Sequence, residues 1–244
     1  MPNDISHSDI PVWAVIPAAG SGSRMHSSTP KQYLSFQGKT VLEHCLDRLL
    51  SHPEIAGCVL VLDDSDEHWD RLGYMPAKPL FTTSGGAERH DSVYSGLTTL
   101  QYRCGNEVMA LVHDAARPLV SHDELGRVIE AAKQSTAGAI LASPVTDTLK
   151  KQNERMEIDS TLPREGLWRA LTPQVFHLSP LLNALKRVID EGLIVTDDAQ
   201  ALEINGYAPA LVEGSVNNFK ITAPGDLRLA EKIWLNQRNQ QDDE

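Results

Sequence analysis

Apolar residues gather along the chain in short runs that mark strands over Val12 to Pro17, Gly57 to Leu62 and Glu107 to His113. Between these runs they recur at helical spacing instead. Apolar runs this short predict strands buried on both faces, and their alternation with helices predicts a parallel sheet covered on both sides. The expected fold is α/β: a single three-layer, Rossmann-like domain spanning residues 1–244, with a mainly parallel twisted sheet.

The helices announce their ends. Thr40 to Ser51 places Val41, Leu42, Cys45, Leu46, Leu49 and Leu50 on one face, and Thr40 with Glu43 forms a capping box. Ser121 with Glu124 repeats the box ahead of Leu125, Val128, Ile129 and Ala132. Ser179-Pro180 opens a further helix with the stripe Leu181, Leu182, Leu185, Val188 and Ile189. Glu88 to Tyr102 and Leu227 to Leu235 have helical period, Pro79 to Thr83 is strand-like, and Ala208 to Val212 and Asn218 to Ile221 read as late strands. The amide-rich tail from Asn236 to Glu244 is expected to fray.

Thr146 to Trp168 breaks the alternation. It is polar on both faces, with Lys150, Lys151, Gln152, Asn153, Glu154 and Arg155 around a turn, so it is no central strand. It reads either as a β-arm that projects from the sheet and orders against a partner subunit, or as a solvated loop.

Composition narrows the function. The 244 residues carry a formal charge of −11, spread along the chain, which excludes a broad basic surface for nucleic acid. An anionic ligand must therefore be held by a few local cations. Cys45, Cys58 and Cys104 form no CxxC pair and no even set, so they are expected to be reduced, as in the cytoplasm. No apolar run approaches the roughly 18 residues of a membrane span, and Met1 to Ile10 shows no basic stretch followed by an apolar one, so neither export nor membrane insertion is expected.

The first strand runs into Ala18-Ala19-Gly20-Ser21-Gly22-Ser23-Arg24-Met25, and Pro30-Lys31 follows. Small residues there let backbone amides close on a phosphate chain, and Arg24 and Lys31 can neutralise its oxygens. No Lys-Ser or Lys-Thr follows the glycines as in a Walker loop, and Met25 stands where the dinucleotide fingerprint needs its third glycine. A second candidate is His113-Asp114-Ala115-Ala116-Arg117-Pro118, where Asp114 ends a strand and suits a hard cation or a sugar hydroxyl and Arg117 suits a phosphate; otherwise Asp114 caps a turn and Arg117 is a surface charge. His113 reads as a packing residue. In a third, Gly85-Gly86-Ala87-Glu88-Arg89-His90-Asp91-Ser92, the glycines let a planar base lie against the backbone and Ser92 offers a hydroxyl; otherwise Glu88, Arg89 and Asp91 are solvated charges of a first helical turn. Two further segments, Arg164 to Gln174 and Asn217 to Thr222, match no general motif; Lys220 is either a phosphate ligand or an edge-protecting charge, and Arg164 is equally a surface charge on the hairpin. Asp64-Ser65-Asp66 is expected to be a solvated turn, and Asp197-Asp198 first-turn acids favoured by a helix dipole.

In this order, Ala18-Ala19-Gly20-x-Gly22-x-Arg24-Met25, Pro30-Lys31-Gln32-Tyr33, Gly85-Gly86-x-Glu88-Arg89-x-Asp91-Ser92-Val93, His113 to Pro118 and Ala170-Leu171-Thr172-Pro173-Gln174 resemble the 2-C-methyl-D-erythritol 4-phosphate cytidylyltransferase family. The resemblance extends from Val12 to about Trp234. It implies CTP and a small phosphorylated polyol as substrates, a divalent cation such as Mg2+, and a homodimer. It assigns charge stabilisation to Arg24 and Lys31, and orientation of the attacking phosphate to Arg164 and Lys220, with Arg164 delivered on the partner's arm. It maps Asp114, Arg117, Thr148 and Thr172 onto the acceptor pocket. Ala18, Ala19, Gly20, Gly86, Ala87, Ser92 and Ala115 fall on the nucleotide, and Asp114 is the one protein candidate near the metal. Ala87 departs from the pattern, since relatives often carry Asp there. Two rivals remain on the sequence: a cytidylyltransferase for another polyol phosphate such as ribitol 5-phosphate, and a non-catalytic nucleotide-binding regulator.

Overall fold

The computed structural model describes residues 10–20 and 29–242. Its centre is a seven-stranded sheet built from β1 (Val12–Pro17), β4 (Ile55–Leu62), β5 (Leu80–Ser84), β6 (Met109–Val112), β7 (Ala139–Pro144), β10 (Trp168–His177) and β11 (Ala210–Glu213). The spatial order is β11-β7-β10-β6-β1-β4-β5, with every pairing parallel except those that β10 makes with β6 and β7.

Alternating side chains of the buried strands feed two cores. Ala14 and Ile16 of β1 pack with Leu42, Leu46 and Leu49 of α1 (Val41–Leu50) and with Leu125, Val128 and Ile129 of α4 (His122–Lys133). On the opposite face Val15, Val59 and Val61 meet Val93, Leu97 and Leu100 of α3 (Arg89–Cys104). That layer continues with α5 (Leu178–Asp190) and α6 (Asp198–Ile204). Three layers are the result. A smaller cluster, including Phe36, Val41, Leu119, Ile221 and Ala230, seats α7 (Pro224–Asp242) against the short hairpin β2 (Ser35–Phe36) and β3 (Lys39–Thr40). A single helical turn, α2 (Trp69–Leu72), precedes β5.

Both predicted capping boxes are present. Thr40 Oγ1 accepts from the Glu43 amide and Glu43 Oε2 accepts from the Thr40 amide, and Ser121 and Glu124 do the same for α4. The predicted arm is a separate two-stranded antiparallel sheet of β8 (Leu149–Gln152) and β9 (Ile158–Leu162), closed at its base where the Val145 amide donates to the Leu167 carbonyl.

The structure departs from the expected elements in three places. Asn218 to Ile221 forms no strand: the segment is held by single contacts, the Ile221 amide on the Ala116 carbonyl and the Asn218 side chain on the Thr172 carbonyl. Helix α7 runs past the expected end at Leu235, to Asp242. The long strand β10, central in the sheet, escapes the apolar-run criterion because Arg169 and Pro173 interrupt it; its pairing with β7 shifts register between Ala170 and Gln174.

Candidate active site

In open α/β sheets ligands bind beyond the carboxyl ends of the strands, where the strand order turns back. Here β1 pairs with β4 on one side and with β6 on the other. The ends of β1, β5 and β6 surround one cleft, to which they contribute Ala18, Ala19 and Gly20; Gly86, Ala87 and Ser92; and Asp114, Ala115 and Ala116. Lys31, Arg89 and Lys220 complete the wall. A second recess shares Arg89, Asp114 and Lys220 with the first and adds Arg117, Thr172 and Gln174. The sequence-predicted residues therefore converge, with four exceptions. Gly22 and Arg24 lie outside the described residues. Thr148 and Arg164 are exposed on the arm side and line neither cavity of their own chain; an Arg164 Nη1–H donates to the Thr146 carbonyl.

The glycine loop owes its shape to close approach. A Cβ on Gly86 would lie 2.3 Å from Asp91 Cβ, and one on Gly85 would lie 2.6 Å from Ala19 Cβ, so no larger residue fits without moving the loop. Ser92 is spent partly on this loop: its hydroxyl accepts from the Gly86 amide at 3.1 Å and donates to the Glu88 carbonyl at 3.2 Å. One acceptor lone pair remains for a ligand.

Lys31 sits in a single 3-10 turn, Lys31–Tyr33, between two braces that the sequence did not reveal. Buried Gln32 donates from Nε2 to the Ala18 carbonyl at 2.7 Å and to the Gly20 carbonyl at 3.2 Å, which ties this turn to the end of β1. The Tyr33 hydroxyl donates to Asp66 Oδ2 at 2.7 Å, and its ring stacks on His68. Burial and then Asp66 push the phenol above its ordinary range. Asp66 is thus more than a solvated turn residue, although Asp63 and Ser65 beside it do form the expected turn through Asp63 Oδ1. A bond to a carboxylate is worth roughly 1.5 kcal/mol or more. Tyr33→Phe is accordingly expected to cost about 1.5 kcal/mol in denaturant unfolding and several-fold in turnover through the loosened Lys31 turn. Unchanged stability would break this tether.

Asp114 is the electrostatic centre. Its side chain is 9% exposed, and Arg89 Nε lies 3.2 Å from Oδ1, with Arg117 Nε at 3.3 Å and Lys220 Nζ at 3.0 Å from Oδ2. Burial alone would raise this carboxyl, but Arg89, Lys220 and Arg117 outweigh it and hold it well below the usual carboxylate range. The Arg117 Nη1 also donates to the Asn218 carbonyl at 2.7 Å, and the Thr172 hydroxyl oxygen accepts from the Asp114 amide at 3.1 Å. Lys220 reaches the cleft from an irregular segment rather than from a strand edge, so its charge does not protect an edge.

His113 is structural, as expected. Its Nε2 faces the Arg117 carbonyl at 2.9 Å, which can only accept, so that nitrogen carries the proton and Nδ1 accepts from the Thr172 hydroxyl at 3.0 Å. Burial pushes its pKa down to about 4, which keeps the ring neutral.

Two expectations about charge need correction. Arg89 is no solvated first-turn residue: its Nη1 and Nη2 grip both oxygens of Asp198 at 3.0 and 2.9 Å. Burial disfavours the Arg89 charge, yet Asp198 and Asp114 more than reverse this and raise its pKa. Asp198 is fully buried, not a surface acid answering a helix dipole, whereas Asp197 does cap α6 by accepting from the Gln200 amide. Burial pushes the Asp198 carboxyl up, with Arg89 opposing. No sequence pattern joins Arg89 to Asp198 across 109 positions; only the packing of α6 beside the start of α3 does.

Among the described residues no group of three or more His, Cys, Asp or Glu side chains could hold a metal. No helix among them is long and apolar enough to cross a membrane, and Cys45, Cys58 and Cys104 are unpaired.

A family model described as 2-C-methyl-D-erythritol 4-phosphate cytidylyltransferase matches residues 12–236. A protein of that name from Vibrio parahaemolyticus is 48% identical over 218 residues, covering 89% of this chain and 93% of the relative. Among solved structures, a 4-diphosphocytidyl-2C-methyl-D-erythritol synthase superposes with a TM-score of 0.80 at 35% identity, covering 92% of this chain and 98% of the other. The Francisella tularensis 2-C-methyl-D-erythritol 4-phosphate cytidylyltransferase superposes with a TM-score of 0.79 at 33% identity, covering 91% and 99%.

Proposed function

The chain belongs to the 2-C-methyl-D-erythritol 4-phosphate cytidylyltransferase family, and from that premise we propose that it converts CTP and 2-C-methyl-D-erythritol 4-phosphate to 4-diphosphocytidyl-2-C-methyl-D-erythritol and pyrophosphate. The observation that carries this reading is the sharing of Arg89, Asp114 and Lys220 by two adjoining cavities. One is walled by small residues and glycines suited to a nucleotide. The other, with Arg117 and Thr172, suits a phosphorylated polyol.

In this reading the acceptor phosphate attacks the α-phosphorus of CTP in line, the new P–O bond forms, and pyrophosphate leaves. The nucleophile is already an anion, so no general base is needed, and neutral, internally satisfied His113 is consistent with that. Positioning and charge supply the catalysis. Backbone groups at Ala18, Ala19, Gly20, Gly86, Ala87 and Ala115, with the spare lone pair of Ser92, hold the nucleotide. Lys31 and Arg24 stabilise charge on the phosphates, Lys220 and Arg117 draw in the acceptor phosphate, and Asp114 and Thr172 fix its neighbourhood.

A divalent cation, Mg2+ by its chemistry, fits only as an ion carried on the triphosphate, because Asp114 is the one carboxylate at the shared floor and three cations already surround it. Triphosphate oxygens would chiefly hold it, beside Asp114, and the ion would supply charge neutralisation.

The proposal includes a cytoplasmic homodimer in which the arm, residues 146–168, brings Arg164 and Thr148 to the partner's recess. Support comes from the arm's own separate sheet and its exposed apolar side chains, Ile158 at 68% and Leu162 at 41%. Deleting residues 150–159 should turn a sedimenting dimer into a monomer; an unchanged dimer would refute the arm's role. The function itself is tested by pyrophosphate release. Release with CTP plus the methylerythritol phosphate, and none without acceptor, is expected. Equal release with ribitol 5-phosphate would favour the other acceptor, and no release at all would favour a regulator.

A further inference from the structure

We infer that Asp198 and Arg89 form a positioning pair that sets the orientation of Asp114 and, through it, the acceptor side of the site. Asp198 lines neither cavity, so it can act only through another residue. Both of its oxygens are taken by the two terminal nitrogens of Arg89. A guanidinium is planar and presents its donors as a rigid fork, so a partner that holds two of them fixes the third. That third donor, Nε, meets Asp114 Oδ1 at 3.2 Å. With Oδ1 held there, Oδ2 faces Lys220 and Arg117.

The pair is itself anchored beside Thr172. Gln174 of β10 accepts from the Ala199 amide at 3.0 Å and donates to Asp197 Oδ2 at 2.9 Å, so the first turn of α6 is docked on the strand that carries Thr172. Asp198 therefore relates two elements distant in sequence, α6 and α3, to the floor shared by both cavities. Charge supports the same conclusion. Three cations, Arg89, Arg117 and Lys220, face two carboxylates, and because Asp198 engages only Arg89, the surplus stays on the Lys220 and Arg117 side where an anionic acceptor arrives.

This inference rests on the cytidylyl-transfer reading, and its test separates the two. In Asp198→Asn an amide N–H₂ faces the guanidinium donors and the grip is lost. The double variant Arg89→Met with Asp198→Leu removes both charges and keeps the site filled, guarding against a simple folding defect. Both variants are expected to lower kcat about tenfold and raise the acceptor KM about fivefold, and in Asp198→Asn, which leaves Arg89 in the wall of the nucleotide cleft, the CTP KM should stay within twofold of the wild type. A reduction in kcat that only tracks the folded fraction, with neither KM moved, would overturn the pair, as would wild-type kinetics in the folded double variant. A second readout needs no turnover. The Arg89 Nε–H resonance, assigned by its loss in Arg89→Met, should exchange slowly with solvent in the wild type and rapidly in Asp198→Asn. Slow exchange in both proteins would overturn the pair even if the wild type released no pyrophosphate, a result that would instead remove the transfer reading.

Discussion

Replacing Lys31 with alanine is expected to lower kcat on the order of a hundredfold or more while leaving the fold and the unfolding midpoint nearly unchanged. A preorganised charge aimed at developing negative charge contributes that much to transition-state stabilisation. Lys31 meets the structural requirement, because it borders the cleft from a turn pinned on both sides, by Gln32 to the Ala18 and Gly20 carbonyls and by Tyr33 to Asp66. Ground-state binding should suffer less than turnover. Steady-state pyrophosphate release measures both, and near-normal kcat in a folded Lys31→Ala protein would remove this residue from the catalytic machinery.

The second large effect concerns stability. Asp114→Asn leaves Arg89, Arg117 and Lys220 without their shared counter-charge, and breaking a buried pair from one side costs about 3 kcal/mol at pH 7. The sign of its pH dependence follows from the same contacts. The Asp114 carboxyl is held well below its ordinary range in the folded protein, so its contribution is complete above the unfolded value and fades as pH falls toward the folded one. The gap between wild type and Asp114→Asn, read from denaturant unfolding, should be full at pH 7 and smaller by pH 3. A gap that does not narrow would mean that ionised Asp114 is not what stabilises the fold. Turnover should also fall sharply in this variant, because Lys220 and Arg117 lose the group that orients them.

The family membership also explains why single motifs carried so little on their own. Gly20 and Gly86 are ordinary turn glycines until β1 and β5 bring their loops to one cleft. Asp114 is an ordinary strand-end acid until three cations from α3, the following turn and the 214–221 segment surround it. What made the set readable was its order along the chain.

The cleft residues from Ala18 to Lys220 came from the resemblance of ordered motifs, and the arm stayed open against a solvated loop, whereas the sequence by itself determined the parallel α/β layering and the two capping boxes. Those features depend on local periodicity and on short motifs, whose physics is complete within a few neighbouring residues. The tertiary structure alone decided the antiparallel insertion of β10, the irregular path that delivers Lys220, the braces from Gln32 and Tyr33, and the buried link from Asp198 through Arg89 to Asp114. Each of these joins residues tens of positions apart, and their energies come from burial and from charges brought together by packing, which leave no period and no spacing to read.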